Sequence, residues 1–426
     1  MNDWQTTTIK KSSYLKGRIG WQGLRASEFI EEGAFLITGT DFCNGNIDWS
    51  NCYHVSEQRY REASYIHVRD NDLLITKDGT IGKVALVKNC PAKAVLNSGI
   101  FLLRSKDGSY DHHYAYFVLT SEIFERFLRL NLNGSTINHL YQYVFESFEL
   151  PIPHLKVQKK IAKILQTIDR TIARTEALIE KYQQIKAGLM HDLFTRGIGA
   201  DGKLRPPREV APELYKNSAI GWIPKEWEVE ILDRLTHRGS GHTPNKSIDS
   251  YWNGGLKWVS LADSRKLDNL YIFDTDLEIS ELGIQNSSAV IHPKGTVIMT
   301  RDAGVGKSAI ISEPMAVSQH FMAWRCGEGM NNYFLYYWLQ HKKRMFENVA
   351  MGSTIVTIGL PYFKKLKIAA PISKTEQEKI GEKLRFTDTH IFSLKSDCEK
   401  LKYKKYGLMH DLLTGKVSVN VDSDAA

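Results

Sequence analysis

An apolar stripe written twice constrains this chain more than any other feature. Ile161, Leu165, Ile168, Ile172, Thr175, Ile179, Tyr182, Lys186, Leu189 and Leu193 recur at alternating steps of four and three. That spacing is the seam of a long helix packed on another helix, with Thr175 and Lys186 as polar exceptions. Shifted by 219 residues, the same stripe reads Ile380, Leu384, Thr387, Ile391, Leu394, Cys398, Leu401, Lys405, Leu408 and Leu412. The chain carries a partner for its own helix, which makes an intramolecular pair more economical than dimerisation between chains.

The duplication extends beyond the helices. Asn71-Asp-Leu-Leu-Ile-Thr-Lys-Asp-Gly-Thr-Ile-Gly-Lys-Val matches Gly295-Thr-Val-Ile-Met-Thr-Arg-Asp-Ala-Gly-Val-Gly-Lys-Ser at an offset of 224. Ala94-Val-Leu-Asn pairs with Ala316-Val-Ser-Gln, Gly134-Ser-Thr-Ile recurs at Gly352, and Gly188-Leu-Met-His-Asp-Leu recurs residue for residue at Gly407. Compact β-type runs such as Leu73–Thr76, Lys83–Val87 and Gly99–Leu103, divided by Gly, Asp and Asn, read as strands, and Tyr114 to Leu130 reads as one helix. The expected fold is mixed α+β, with two similar small α/β heads joined by two long antiparallel coiled-coil helices in a pseudo-twofold duplication. The divisions fall at 1–153 for the first head, 154–196 for its helix, 197–222 for a Gly/Pro-bearing linker, 223–371 for the second head, 372–415 for its helix and 416–426 for a tail. Antiparallel pairing follows from the linker, which then needs no long return path.

The formal charge of +8 and the pI near 9.0 favour a nucleic-acid partner without requiring one. No apolar run is long enough for a signal or a membrane span, so the chain reads as cytoplasmic with no membrane partner. Five cysteines at 43, 52, 90, 326 and 398 form no CxxC pair, so no metal site is expected.

Two similar basic heads on a rigid spacer suit a reader of bipartite DNA, since half-sites one turn apart lie about 34 Å from each other on one face. A dumbbell scaffold whose heads bind protein is the bland alternative. Gly304-Val-Gly-Lys-Ser resembles the end of a phosphate loop, but Arg301 stands where the first glycine belongs. A strand, glycine turn, strand hairpin fits better, with Lys77, Lys83, Arg301 and Lys307 at its tip for phosphates or guanine edges, against the alternative of solvated turn lysines. Asn97 and Gln319, matched in the two repeats, could bond an adenine edge or merely close turns. Ser135, Thr136, Ser353 and Thr354 in the Gly-Ser-Thr-Ile copies could face phosphate or start the closing strand. Catalytic residues are expected to be absent. Pro-Pro occurs only at Pro206-Pro207, there is no Glu-x-Lys triplet, and the His191-Asp192 and His410-Asp411 pairs read more simply as helix-end polar groups.

Two variable heads closed by Leu150-Pro-Ile-Pro and Ala370-Pro-Ile, each followed by a helix that bears Gln158 or Gln377 and ends in Gly-Leu-Met-His-Asp-Leu, resemble the specificity subunit of type I restriction-modification systems over the whole length. The resemblance implies that the heads are target recognition domains, each reading half of an interrupted double-stranded DNA site. It implies that the long helices are spacers docking two modification (methyltransferase) subunits, with restriction subunits completing the complex. S-adenosylmethionine, ATP and magnesium would then serve those partners, and this chain would need no cofactor. A stand-alone DNA methyltransferase or endonuclease is the competing reading. Trp4 opens the first head without the Ile-Pro-Lys-Glu that precedes Trp227, a departure from the repeat.

Overall fold

The computed structural model describes residues 4–18, 23–132, 139–352 and 356–421. Two compact units divide the chain, one of Met1–Thr175 with Asp397–Ala426 and the other of Glu176–Ser396. Each unit therefore holds one head, part of one long helix and part of the other.

In the first unit an antiparallel sheet orders Ser13–Gly17, Ile100–Ser105, Leu73–Thr76 and Val84–Leu86. Tyr53–Val55, Ala34–Ile37 and Ala94–Leu96 form a second, mixed sheet. Leu74, Ala85 and Leu102 face a core shared with Leu36, Val55 and Val95. Their neighbours Leu73, Ile75, Phe101 and Leu103 face the opposite way, into a core with Tyr114, Phe117 and Phe145. Burial on both faces explains why these strands read as unbroken apolar runs rather than alternating ones. The expected single helix from Tyr114 to Leu130 is two, His112–Leu119 and Glu122–Leu132. At the break the Thr120 and Ser121 hydroxyls donate back to the carbonyls of Tyr116 and Val118, at 2.9 and 2.7 Å, satisfying helix-end acceptors with side chains.

The second unit repeats this plan with additions. Thr236–Ser240, Phe321–Cys326, Val297–Thr300, Ser308–Ile311 and Tyr271–Ile272 form a five-stranded sheet, beside a four-stranded one containing Trp252–Val259 and Met315–Val317. Each head is closed by its own first and last strands, Gln5–Thr8 on Glu149–Ile152 and Trp227–Ile231 on Lys367–Pro371. Residues 197–222 include the strand Tyr215–Ser218, which pairs with Gly221–Pro224.

The long helices run over Leu155–Thr195 and Lys374–Leu413, 41 and 40 residues, or about 60 Å each. In the first unit Ile161 and Leu165 share a core with Leu412, and Lys405 bridges Asp169 at 2.7 Å. In the second, Leu193 shares a core with Ile380, Lys186 bridges Asp388 at 2.6 Å, and Tyr182 meets His390. As one number rises its partner's falls, so the pair is antiparallel in both units. Every seam position is buried or half-buried, from Ile161, Leu165, Ile172, Leu193, Ile380, Leu384, Ile391 and Leu412 inside to Ile168, Ile179, Leu189, Leu394, Leu401 and Leu408 at the margin. The polar exception Lys186 lies 5.3 Å over the Tyr337 ring and Lys405 lies 5.9 Å over Phe117.

A buried glutamine ties each head to its helix. Gln158 accepts from the Asp111 amide at 2.9 Å and donates to the Pro153 carbonyl at 2.8 Å. Gln377 accepts from the Asn331 amide at 2.8 Å and donates to the carbonyls of Pro371 and Gly329 at 3.0 and 3.2 Å. Asp111 and Asn331 themselves cap the head helices His112–Leu119 and Asn332–His341. At the far helix ends Trp227 lies against Gly197, where a Cβ would come within 2.9 Å of its ring. Trp4 lies likewise against Gly415, at 3.2 Å. Trp4 is thus seated as Trp227 is, without the residues that lead into the latter.

Candidate nucleic-acid interface

The hairpin tips are shaped by one threonine each. Thr76 Oγ1 donates to the Thr80 carbonyl at 2.6 Å and accepts from the Lys83 amide at 2.9 Å, while the Gly82 amide donates to the Thr76 carbonyl at 2.9 Å. Thr300 does the same with Gly304, Lys307 and Gly306, at 2.7, 3.1 and 3.0 Å. Both turns need φ near +80°, with Gly82 at +81° and Gly306 at +86°. A Cβ on Gly82 would also come within 2.4 Å of Leu128. The amides that a phosphate cradle would offer at Gly306 and Lys307 are therefore engaged inside the turn.

Two further segments flank each tip. The Lys77 amide donates to Gly99 and its carbonyl accepts from Leu140; Arg301 pairs equally with His320 and Ile358. The hairpin, the turn at Asn97 or Gln319 and the segment after Gly-Ser-Thr-Ile thus meet at one end of each head. Ser135, Thr136, Ser353 and Thr354 lie outside the described residues.

Within this cluster the candidate side chains differ in readiness. Lys83 is exposed, and the half-buried Lys77 ammonium stands 4.9 Å over the Phe101 ring. Arg301 is half-buried beside Asp302, Nε to Oδ1 at 3.4 Å, and Lys307 Nζ donates to the Ser264 carbonyl at 3.3 Å. Asn97 Oδ1 accepts from the Ser98 amide at 2.7 Å. Gln319 is exposed, its Oε1 accepting from Thr243 Oγ1 at 2.5 Å. Asn97 and Gln319 do not occupy equivalent backbone positions. The amide of Asn97 bonds Ile37, and its counterpart bonding Val259 is Ser318, one residue before Gln319. Matching by side-chain likeness had slipped the alignment by one.

The hairpin aspartates escaped the sequence reading although they repeat within the matched stretch. Asp78 is bonded by His139 Nδ1. Asp302 is bonded by Thr357 Oγ1 and, at 2.8 Å, by His320 Nδ1. Each carboxylate fastens the hairpin to the segment beyond Gly-Ser-Thr-Ile, so these are positioning groups. Tyr141 and Tyr143, exposed beside His139, were also missed, because isolated tyrosines carry no spacing signal. Among the described residues no His, Cys, Asp or Glu group is arranged to hold a metal, none of the five cysteines is in a disulfide, and no helix is long and apolar enough to cross a membrane. The arrangement offers cations and side-chain amides on rigid turns, suited to binding a polyanion and reading its edges.

Comparison with known proteins agrees with this geometry. The chain is 28% identical over 369 residues to the type I restriction enzyme MjaVIII specificity subunit of Methanocaldococcus jannaschii, covering 83% of this chain and 81% of that one. It is 26% identical over 408 residues to the putative type I restriction enzyme MjaX specificity subunit of the same organism, covering 93% and 90%. The crystal structure of a type I restriction-modification system S subunit from M. genitalium shares the fold, with a TM-score of 0.58 at 15% identity over 96% of each chain. The family model described as the type I restriction modification DNA specificity domain matches twice, at residues 23–184 and 224–400, and the chain belongs to that family.

Proposed function

We propose that this chain is the sequence-reading, non-catalytic subunit of a type I restriction-modification complex, in which each head reads one half of a bipartite, interrupted duplex site. The observation that carries the reading is the duplicated tip. In both heads a threonine-clamped basic hairpin is fastened by an aspartate to the segment after Gly-Ser-Thr-Ile, and the same head is tied by a buried glutamine to a long helix. Phosphate contacts position each head and a few base contacts specify. Residues 1–153 and 223–371 act as the two readers, and the helices over 154–196 and 372–415 set the interval between half-sites. Two modification subunits dock on the outer helix faces and flip the target adenine into their own pockets. Methyl transfer from S-adenosylmethionine and ATP- and magnesium-dependent cleavage are theirs and the restriction subunits', in the cytoplasm.

The test is a head exchange. Residues 1–153 are replaced by another family member's first head, and the host's methylated sites are sequenced. One half-site should change while the other and the gap stay fixed. Change in both halves or in neither refutes the reading, and methyl transfer or cleavage by the purified chain alone establishes a stand-alone enzyme instead.

A further inference from the structure

The tips of the two heads differ in aromatic character. In the first, Tyr141 and Tyr143 are 47% and 71% exposed, with ring centroids 5.7 Å apart and planes 27° from parallel. His139 stands edge-on to Tyr141 at 4.7 Å and is fixed by Asp78. Lys77, Phe101 and Glu146 complete an open groove along these rings. Lys77 enters no ion pair among the described residues. Glu146 accepts from Gln142 Nε2 at 2.8 Å.

Backbone hydrogen bonds identify the counterparts in the second head. Phe145 and Phe363 are the buried residues of the matching short helices Gln142–Glu146 and Leu360–Lys364, which places Gly359 opposite Tyr141 and Pro361 opposite Tyr143. Met322 replaces Phe101 by register. The second tip has no aromatic ring in any of the three places.

A ring platform beside a cation is the arrangement by which proteins hold single nucleotides, base on ring and phosphate on lysine. The rings are too close to enclose a base. Two rings sandwiching one stand about 7 Å apart, twice the roughly 3.4 Å rise of stacked bases. A base must therefore lie on the outer face of Tyr143. In an intact duplex both faces of every base are already covered, so the groove selects a base that has left the stack.

We propose that the groove of Lys77, Phe101, His139, Tyr141 and Tyr143 binds an unstacked nucleobase and its phosphate in DNA, and that only the first head does so. The inference rests on the reading that the tips face DNA, and it makes the two heads mechanically unlike: one holds its half-site partly opened, the other reads it closed.

The experiment uses the full-length chain and a fluorescein-labelled single-stranded oligothymidylate at low salt, followed by anisotropy, with a mixed-sequence duplex measured in parallel. Tyr143 is largely exposed, so Tyr143→Ala leaves the fold intact. It should weaken oligothymidylate binding at least about fivefold, the lower bound for losing one base–aromatic stack. Tyr143→Phe should retain affinity within about twofold, and Pro361→Ala in the second head should change nothing. A smaller loss in Tyr143→Ala, an equal loss in Pro361→Ala, or no single-strand binding by the wild-type chain overturns the inference. If the wild-type chain also fails to bind duplex even with modification subunits present, the broader DNA-reading assignment falls. Duplex binding kept with an unmoved single-strand affinity removes this inference alone.

Discussion

Replacing Gln377 by alanine tests whether the head of the second unit is held to its helix by the buried amide. Gln377 is 1% exposed and makes three hydrogen bonds, one accepted from the Asn331 amide and two donated to the carbonyls of Pro371 and Gly329. Alanine leaves the half-buried Asn331 N–H, the buried Pro371 C=O and the Gly329 C=O, which water can reach, without these partners, at about 1–3 kcal/mol for each group that water cannot enter. The carbonyls tolerate loss better than the amide, so about 3 kcal/mol is expected in all. Gln158→Ala removes two bonds and should cost about 2 kcal/mol in the first unit. Global unfolding of a two-unit chain is not two-state, so the assay must be local. Hydrogen–deuterium exchange read by mass spectrometry over residues 329–341 should accelerate roughly a hundredfold in Gln377→Ala, at about 1.4 kcal/mol per decade. Residues 109–119 should exchange at the wild-type rate in that variant and faster in Gln158→Ala. Unchanged exchange at 329–341, or acceleration spread equally over both heads, would refute the reasoning.

Three further outcomes follow from neighbouring features. Arg205 holds Glu376 through bonds of 2.6 and 3.0 Å, both side chains nearly buried, while Trp227 Nε1 donates to the same carboxylate. Arg205→Ala leaves that charge buried and should lower the local opening free energy around residues 376–384, read by hydrogen exchange, by about 3–5 kcal/mol; a loss under about 1 kcal/mol contradicts this. Burial, helped by the charges of Lys342 and His191, holds the His341 imidazole down to about 4. The unfolded chain takes up that proton first, so stability is full above about pH 6.5 and falls as pH drops toward 4, by at most about 3 kcal/mol. Hydrogen-exchange protection of residues 332–341, corrected for the intrinsic rate at each pH, should fall across that window in wild type and fall less in His341→Gln; equal falls reject the assignment. Inserting one heptad near Thr175 should change the gap between methylated half-sites without changing their bases, and an unchanged gap rejects the helices as spacers.

The long helices were legible because their buried stripe has a period that no strand shares, and because it is written twice. The head strands were legible from continuous apolar runs, since sheets buried on both faces leave no alternation to misread. Contacts between distant residues were not. Nothing near Gln377 in sequence names Asn331 as its partner 46 residues away, nor does anything tie Asp78 to His139 across 61. The helix break at Thr120 was missed because Thr and Ser in an apolar helical pattern are tolerated until their hydroxyls capture a carbonyl. The one-residue slip between Asn97 and Gln319 has a related origin: chemical likeness of amides suggested equivalence, but the backbone ladder sets it. Of the tip, the lysines, arginine and amides were found by type, while the aspartate fasteners and the tyrosine groove required the fold.

The reciprocal bridges Lys405–Asp169 and Lys186–Asp388 are alike in chemistry but not in shelter. Asp388 also accepts from the Tyr337 hydroxyl at 2.8 Å, whereas Phe117 in the other unit offers Asp169 no such bond. The side chains are 21% and 20% exposed in the second unit against 27% and 35% in the first. Added electrolyte screens exposed pairs more strongly, so ionic strength loosens the fastening of the first unit before that of the second. A salt titration of DNA affinity in this protein thus superimposes two processes: release of counterions from phosphate, and a lopsided softening of the reader itself.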